Sequence, residues 1–343
     1  MEKNVIHGHV MANAWNAVRF KELEKKSMEI IIKLVVRYYL RAPSLYGLLL
    51  TKTPTFRAGL FAFLNEICYL LKLTRSYRLT SLSIEVTNYC NLHCELCPNS
   101  TMKRSRGYID GTLYKKIVDT NTSIEYLFLF LWGEPFLHRH IFDFIHYAAS
   151  RGIRTMVTTN GTIISKDAIP RILDSGLERL TFSIDGSRTT HAQLRHCDYD
   201  QLKSTILELK KMVSLKKSSL QIDVSMVVCE KTENDIDTLK HEWGKVVDRI
   251  YFIPRLISGL RKERCRELWR GNLTVLWDGR VVPCCVDFNG MMVVGNARFD
   301  SLTHLWNGEQ MQKLRRLQRR RSFPPICSQC SEYKKKGISN RFT

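Results

Sequence analysis

Between residues 81 and 254 the chain alternates short apolar runs with longer amphipathic segments. The apolar runs have the length and the β-branched content of buried strands, at residues 82–86, 126–131, 154–158, 179–184, 220–228 and 249–253. The intervening segments repeat apolar positions with a helical period, at residues 112–119, 141–151, 166–175, 199–215 and 233–246. Strands that alternate with helices in this way predict a parallel sheet with helical crossovers.

The number of strand–helix units sets the fold class. Six units fit in about 175 residues, whereas a complete eight-fold barrel needs about 250. We therefore predict an α/β fold with a partial (β/α)6 TIM-like barrel. After residue 258 the alternation stops, and a hairpin over 273–283 that turns at Asp278-Gly279 precedes a charged helix over 310–321. The predicted domains are a helical extension (1–80), the barrel (81–258) and a small α+β domain (259–343).

The extension combines apolar stretches with basic charge. Residues 28–50 place Lys33, Arg37 and Arg41 on one helical stripe among large apolar residues, and Pro43 ends that helix. Neither this stretch nor residues 56–73 has the roughly 18 uncharged residues of a transmembrane span. A basic amphipathic helix on an anionic membrane surface or a lipid is one prediction. The alternative is that these helices pack on the protein itself with the stripe facing water.

The distribution of charge changes the first interpretation of the composition. A formal net charge of +20 suggests a nucleic-acid-binding protein. However, residues 1–80 carry +8 and residues 311–343 carry +9, which leaves +3 for the 230 residues between them. The body is nearly neutral, and the basic tail has few aromatic residues for base stacking, which argues against nucleic acid.

Cysteine content and the N-terminus indicate the compartment. Eleven cysteines are an odd number, and residues 1–26 lack the continuous apolar core of a secretory signal. In an intracellular protein, clustered thiols more often bind metal than form disulfides. We predict a cytoplasmic protein that is peripheral to the inner membrane surface if the extension binds lipid.

Three cysteines directly follow the first predicted strand. Cys90, Cys94 and Cys97 lie within eight residues, in a loop that can wrap one face of an iron–sulfur cluster and leave one iron open. A zinc site usually has four ligands, and the nearest fourth candidate, His93, lies inside the first gap, where ring closure would be strained.

A second group of cysteines lies in the last third of the chain. The predicted hairpin delivers Cys265 and Cys284 to one side, and Cys327 and Cys330 form a chelating CxxC pair. Cys285 is an alternative to Cys284. Four thiolates fit both zinc and an iron–sulfur cluster, so the ligand types alone do not identify the metal.

Further motifs follow the later strands in chain order. They are Trp132-Gly133-Glu134-Pro135, Thr159-Asn160-Gly161, Ser183-Ile184-Asp185-Gly186 and then Arg195. Taken alone, the first two motifs are ordinary turns and the third is a strand-ending loop. Behind the CxxxCxxC motif, at successive strand ends, they resemble the radical S-adenosylmethionine (SAM) superfamily. Trp132 replaces the first Gly of the family's Gly-Gly-Glu element, and Leu96 replaces an aromatic residue that relatives often have before the third cysteine.

The resemblance implies a cofactor set and residue roles. A [4Fe–4S] cluster on Cys90, Cys94 and Cys97 would bind SAM through its open iron. Gly133 and Glu134 would hold the methionine amino group. The remaining SAM contacts implied are Asn160, Ser183, Asp185 and Arg195. Reduction by a flavodoxin- or ferredoxin-type donor would cleave SAM to a 5′-deoxyadenosyl radical, which abstracts hydrogen from a substrate.

The C-terminal segment is similar to the SPASM/twitch auxiliary domains of this superfamily. The similarity covers Gly279-x4-Cys284, Gly295-Asn296, Leu305-Trp306 and the CxxC pair. No cysteine follows Cys330, which matches the one-cluster twitch form. A second [4Fe–4S] cluster on Cys265, Cys284, Cys327 and Cys330 is then implied. With all four thiolates it has no open iron, so it would pass electrons in a net oxidation.

Three functions follow from these features. The first is oxidation of a sugar, an aminocyclitol or a lipid-linked substrate. The second is radical SAM maturation of a peptide. The third is a non-catalytic cysteine–metal scaffold that binds RNA, in which Glu134 and Asp185 would have no purpose.

Overall fold

A nine-stranded sheet organises the part of the chain that the computed structural model describes, residues 56–122, 124–259, 261 and 263–332. The strand order is β10-β9-β8-β1-β2-β3-β4-β5-β6. The first six strands are β1 (Ser81–Ile84), β2 (Tyr126–Phe128), β3 (Arg154–Thr159), β4 (Arg179–Ser183), β5 (Gln221–Val228) and β6 (Arg249–Pro254). They lie side by side in chain order and pair in parallel, which confirms the predicted α/β fold class.

Helices precede and connect the parallel strands. In chain order they are α1 (Phe56–Leu70), α2 (Gly111–Thr120), α3 (Ile141–Ser150), α4 (Ala168–Asp174), α5 (Arg188–Arg195), α6 (Tyr199–Leu215) and α7 (Ile236–Trp243). Among the crossover helices, only α5 was not predicted from the sequence. Its one large apolar residue, Leu194, gives no helical repeat, and the helix begins at Ser187, whose hydroxyl accepts the Thr190 N–H.

The sheet is buried on both faces, as parallel sheets are. Apolar strand residues such as Leu82, Leu127, Val157, Leu180 and Ile222 are inaccessible to solvent and form one core with the helices. Because the strands are parallel, the loops at their carboxyl ends share one rim of the sheet. The motifs from Cys90 to Gly186 lie at those strand ends, while Arg195 ends the helix that follows β4.

The C-terminal segment extends the same sheet. Strand β8 (Asn272–Val275) pairs in parallel with β1, and β9 (Arg280–Val282) returns antiparallel to β8, which confirms the predicted hairpin. Gly279 has φ of +93° at the turn, a conformation that favours glycine. Strand β10 (Gly295–Asn296) adds to β9, while β7 (Leu256–Ser258) pairs with β11 (Cys330–Glu332) in a separate ribbon.

Three further helices complete the described chain: α8 (Leu302–Trp306), α9 (Glu309–Arg319) and α10 (Pro325–Ser328). Helix α9 matches the charged helix predicted over 310–321. The predicted amphipathic stretch at 28–50 and the end of the basic tail lie outside the described residues. Within residues 56–332, no described helix is long and apolar enough to cross a membrane.

Arg315 joins helix α9 to the rest of the C-terminal segment. The residue is inaccessible to solvent, and its guanidinium donates to the carbonyls of Leu268, Thr74 and Trp306 and to Asn307 Oδ1. It also lies over the Trp306 ring, at 4.5 Å from the centroid. One side chain therefore satisfies four acceptors from three separate segments.

We expect Arg315→Met to lower the free energy of unfolding by more than about 3 kcal/mol, because several buried acceptors would lose their donor. The exposed neighbour Arg316 provides the control, since Arg316→Met should change stability by no more than about 0.5 kcal/mol. Urea denaturation of the two variants makes the comparison. Equal midpoints would show that Arg315 is not a structural link.

Candidate functional site

The first cysteine group lies in the loop that follows β1. Cys90, Cys94 and Cys97 are all free thiols and partly buried. The Cys97 N–H donates to the Cys94 carbonyl, and the Glu95 N–H donates to the Leu194 carbonyl of α5. The loop is therefore folded back on itself and tied to the helix that carries Arg195.

The electrostatics of these thiols fit an anionic metal cluster. Burial raises the pKa of all three, that of Cys94 to about 11, and their mutual repulsion adds to the rise for Cys90 and Cys94. The Arg195 guanidinium opposes the rise at Cys94 and Cys97. Three thiols in one folded loop beside a cation supply the soft donors of an iron–sulfur cluster, and binding to iron would remove their protons.

Gly133 brings the loop after β2 against the cysteine loop. A Cβ atom at this position would lie 2.2 Å from the Thr87 carbonyl oxygen and 2.7 Å from that of Tyr89, so only glycine fits. The next residue completes the contact, as the Glu134 N–H donates to the Tyr89 carbonyl at 2.8 Å. The backbone at Gly133 therefore lies directly against the cysteine loop.

Glu134 is buried at the centre of the rim, and burial raises its pKa. Its Oε1 accepts the Thr159 hydroxyl at 2.8 Å and the Phe136 N–H at 3.2 Å, and its Oε2 accepts the Asn160 N–H at 2.8 Å. A carboxylate has about four acceptor positions, so three protein donors leave one for an ammonium group. Glu134 thus joins the β2 and β3 loops and keeps one acceptor position.

Asn160 links Glu134 to the cysteine loop. Its side-chain amide donates to Asn91 Oδ1 at 2.9 Å and lies 3.9 Å from Cys90 Sγ. Its own oxygen accepts the Thr162 N–H and hydroxyl. The structure therefore brings three predicted site residues, Cys90, Glu134 and Asn160, into one network.

Asp185 and Arg195 form a buried ion pair beyond β4. Arg195 Nε donates to Asp185 Oδ2 at 2.8 Å, and Asp185 Oδ1 accepts the Val227 N–H of β5 at 2.8 Å. Within the described chain, the two terminal nitrogens of Arg195 have no hydrogen-bond partner. Asp185 therefore orients a guanidinium that still has donors for a carboxylate. Ser183, the remaining predicted contact, is partly buried at the end of β4.

We expect Asp185→Ala to destabilise the fold by about 3–5 kcal/mol, because it leaves the Arg195 charge buried without its partner. The matched control is Asp200→Ala, which breaks an ion pair with Arg188 whose side chains are 55% and 70% exposed. Exposed pairs contribute about 0–1 kcal/mol. Urea denaturation of the reconstituted proteins measures both, and equal losses would contradict the buried role of Asp185.

His191 supports the same loop and was not singled out by the sequence. It is fully buried, and burial lowers its pKa to about 4, so the ring is neutral. Its Nδ1 accepts the Asp185 N–H at 3.2 Å, which places the ring proton on Nε2, 3.3 Å from Cys197 Sγ. Cys197 is therefore a partner of His191 in the described structure.

The second cysteine group gathers around the β7–β11 ribbon. Cys265, Cys284, Cys327 and Cys330 are partly buried free thiols, whereas Cys285 is exposed. Burial, followed by the nearby Cys285, Cys265 and Cys327, raises the pKa of Cys284 well above its usual value. Thiols from three distant segments therefore influence one another electrostatically, although among the described residues no three side chains converge closely enough to hold a metal ion.

Trp132 connects the two cysteine groups, a contact that its place in the motif did not reveal. Its indole N–H donates to the Cys285 carbonyl at 2.8 Å, and its ring lies edge-on to Phe288. Its own carbonyl accepts the Asn99 amide beside the first cysteine loop. The residue that departs from the family pattern therefore spans the gap between the loops.

Comparisons with known families agree with this geometry. The model of the radical SAM superfamily matches residues 84–241, and that of the SPASM iron–sulfur cluster-binding domain matches residues 265–331. The first range contains the Cys90 group, and the second contains all five cysteines of the second group. SAM, a [4Fe–4S] cluster and additional iron–sulfur chemistry are the cofactors of these two families.

Individual relatives resemble the chain over most of its length. An S-adenosyl-L-methionine-dependent 2-deoxy-scyllo-inosamine dehydrogenase from Niallia circulans is 24% identical over 73% of this chain and 92% of its own. A crystal structure of BtrN with AdoMet and 2-DOIA aligns with a TM-score of 0.54 and 20% identity, over 74% of this chain and 94% of its own. One of anSMEcpe with AdoMet and a peptide aligns with a TM-score of 0.54 and 17% identity, over 71% and 84%.

Proposed function

The chain belongs to the radical SAM superfamily and carries a SPASM iron–sulfur domain, and from this premise we propose that it oxidises a hydroxylated carbon of a small polar substrate. We assign the SAM-binding cluster to Cys90, Cys94 and Cys97. The auxiliary cluster would be held by the four partly buried thiols Cys265, Cys284, Cys327 and Cys330. Cys285 is exposed as a residue, but burial raises the pKa of its thiol to about 12, so it stays the alternative to Cys284.

The main support for SAM binding is a pair of residues on the rim that still have free hydrogen-bonding positions. Glu134 retains an acceptor position and Arg195 retains its two terminal nitrogens, and both regions contact the cysteine loop, through Tyr89 and Glu95. An α-amino acid presents an ammonium and a carboxylate, so these two residues match the methionine end of SAM. When bound, SAM and the reduced cluster supply the radical that abstracts hydrogen.

The chain's own residues then orient the amino acid. Glu134 would accept hydrogen bonds from the ammonium, and the network through Thr159 and Asn160 fixes its direction. Arg195 would donate to the carboxylate while Asp185 holds its Nε. Asn160 and Ser183 lie at the neighbouring strand ends, where the ribose is expected. Burial of Glu134 keeps competing water from this contact.

The choice of an alcohol substrate rests on the dehydrogenase relative and on the ligand count. A site with four thiolates has no open iron for substrate and suits electron transfer, which a net oxidation requires. The substrate classes are a sugar or aminocyclitol, or a lipid-linked form of one. An electron donor is needed by every enzyme of this superfamily, and we propose a flavodoxin or ferredoxin type that meets the basic C-terminal segment.

A deuterium-transfer assay tests the reaction class. The reconstituted enzyme, SAM and dithionite are mixed with sugars or aminocyclitols deuterated at the hydroxyl-bearing carbons. Deuterium in 5′-deoxyadenosine together with a carbonyl product is the expected result. The structural likeness to a peptide-bound enzyme makes a peptide maturase the second candidate, and deuterium transfer from peptides alone would replace our proposal with it.

Membrane attachment through the N-terminal residues is a separate proposal. It rests on the basic apolar stretch at 28–50, which lies outside the described residues. If it holds, the enzyme works in the cytoplasm at the inner membrane face. Co-sedimentation with anionic liposomes should be lost on removal of residues 1–55, which precede helix α1 and leave its buried contacts in place. Unchanged co-sedimentation of the truncated protein would exclude this role for the extension.

A further inference from the structure

Two side chains of the C-terminal segment point at the auxiliary thiols without being ligands themselves. Arg261 follows β7, and Gln318 lies near the end of α9. The family motifs include neither residue, and their contacts with the cysteines become visible only in the folded chain.

Arg261 spans the CxxC pair. Its backbone N–H donates to the Ser328 carbonyl at 2.9 Å, which sets the segment alongside the CxxC turn. Its Nε donates to the Cys327 carbonyl at 3.2 Å, and its Nη2 donates to Cys330 Sγ at 3.3 Å. A guanidinium held by two backbone contacts therefore places its charge directly on a thiol.

Gln318 contacts the second cysteine group from helix α9. The side chain is inaccessible to solvent, and its Oε1 accepts the Cys265 N–H at 2.9 Å. Its Nε2 is buried and has no hydrogen-bond partner among the described residues. A buried amide donor without an acceptor is costly. The Gln318 amide also lowers the pKa of the neighbouring Cys327 thiol, so a sulfur of a bound cluster at this position would supply the acceptor.

We propose that Arg261 and Gln318 are positioning residues that raise the reduction potential of the auxiliary cluster. The reduced form of a four-thiolate cluster carries one more negative charge than the oxidised form. A nearby cation and hydrogen bonds to sulfur stabilise that extra charge. Glu267 also borders Cys265, but its carboxylate is paired with Arg270.

The inference deepens the proposed function and rests on it. In that reaction the substrate radical loses one electron and one proton to become a carbonyl, and the electron passes to the auxiliary site. An acceptor with a higher potential makes this transfer more favourable. Arg261 and Gln318 would thereby bias the enzyme toward net oxidation.

The test is an EPR-monitored redox titration of the full-length chain with Cys90, Cys94 and Cys97 all replaced by Ala. Only the auxiliary cluster remains in this background, and SAM cleavage plays no part, so the result is independent of the substrate proposal. Arg261→Gln should lower the reduction equilibrium about tenfold, which is about 59 mV for one electron. Gln318→Glu should lower it as well, because a negative charge replaces a donor.

Two further variants make the outcome decisive. Arg264→Gln removes the same charge three residues away, where the guanidinium donates to the Tyr69 carbonyl and lies over the Tyr69 ring, and it should leave the potential unchanged. If Arg261→Gln fails to retain iron, Arg261→Lys is titrated in its place and should show a smaller decrease. Potentials for the Arg261 and Gln318 variants that equal that of Arg264→Gln would overturn the proposal.

Discussion

Replacement of Cys94 by Ala should reduce 5′-deoxyadenosine formation on the order of a thousandfold or more, because the group that performs the difficult chemistry is then absent. Cys94 lies between Cys90 and Cys97 in one folded loop and faces Arg195. No other thiol of this loop can take its place, since three ligands are the minimum for this site. The iron content should fall from about eight to about four per chain, because the auxiliary site is intact.

The control for this variant is Cys197→Ala. Cys197 follows Arg195 closely but contacts His191 and not the cysteine loop. The control should retain the full iron content and SAM cleavage. Anaerobic reconstitution followed by iron analysis and chromatography of the nucleoside products makes the comparison. Normal SAM cleavage by the Cys94 variant would show that Cys94 is not a ligand of the SAM-binding cluster.

Replacement of Cys284 by Ala should have the second-largest effect and a different signature. The auxiliary cluster would be lost, so the iron content should again fall to about four per chain. Reductive cleavage of SAM by dithionite should continue, because the first site is unchanged. Formation of the oxidised product should stop, since the substrate radical has no electron acceptor. The two activities are measured in the same reaction mixture.

Cys285→Ala is the matched control, because it removes the adjacent thiol. Cys285 is exposed, and its carbonyl rather than its thiol contacts Trp132. The control should keep about eight irons and form product. The reverse pattern, with iron lost from the Cys285 variant and retained by the Cys284 variant, would assign the ligand to Cys285.

The sequence predicted the parallel core well, because its signal is local. Strand β5 places Ile222, Val224 and Met226 in the core at alternate positions, and the crossover helices keep a clear apolar period. The hairpin at Asp278-Gly279 was also predictable, since its turn needs a positive φ. The cysteine spacing and the motif order then placed the candidate site on one rim of the sheet.

Other features depended on contacts that spacing does not encode. Helix α5 carries Arg195, yet its polar sequence has no periodic signal. The sequence showed Trp132 only as a departure from a family motif. In the fold its indole N–H donates to the Cys285 carbonyl, 153 residues away along the chain. Arg261 and Gln318 belong to segments brought together only by the β7–β11 ribbon and helix α9. Such partners are set by tertiary packing.

The most direct test of the central claim is anaerobic reconstitution of the full-length protein with iron and sulfide. We expect about eight irons per chain and 5′-deoxyadenosine formation from SAM in the presence of dithionite. Zinc as the only bound metal, together with no cleavage of SAM, would contradict it and would indicate a non-catalytic cysteine–metal scaffold.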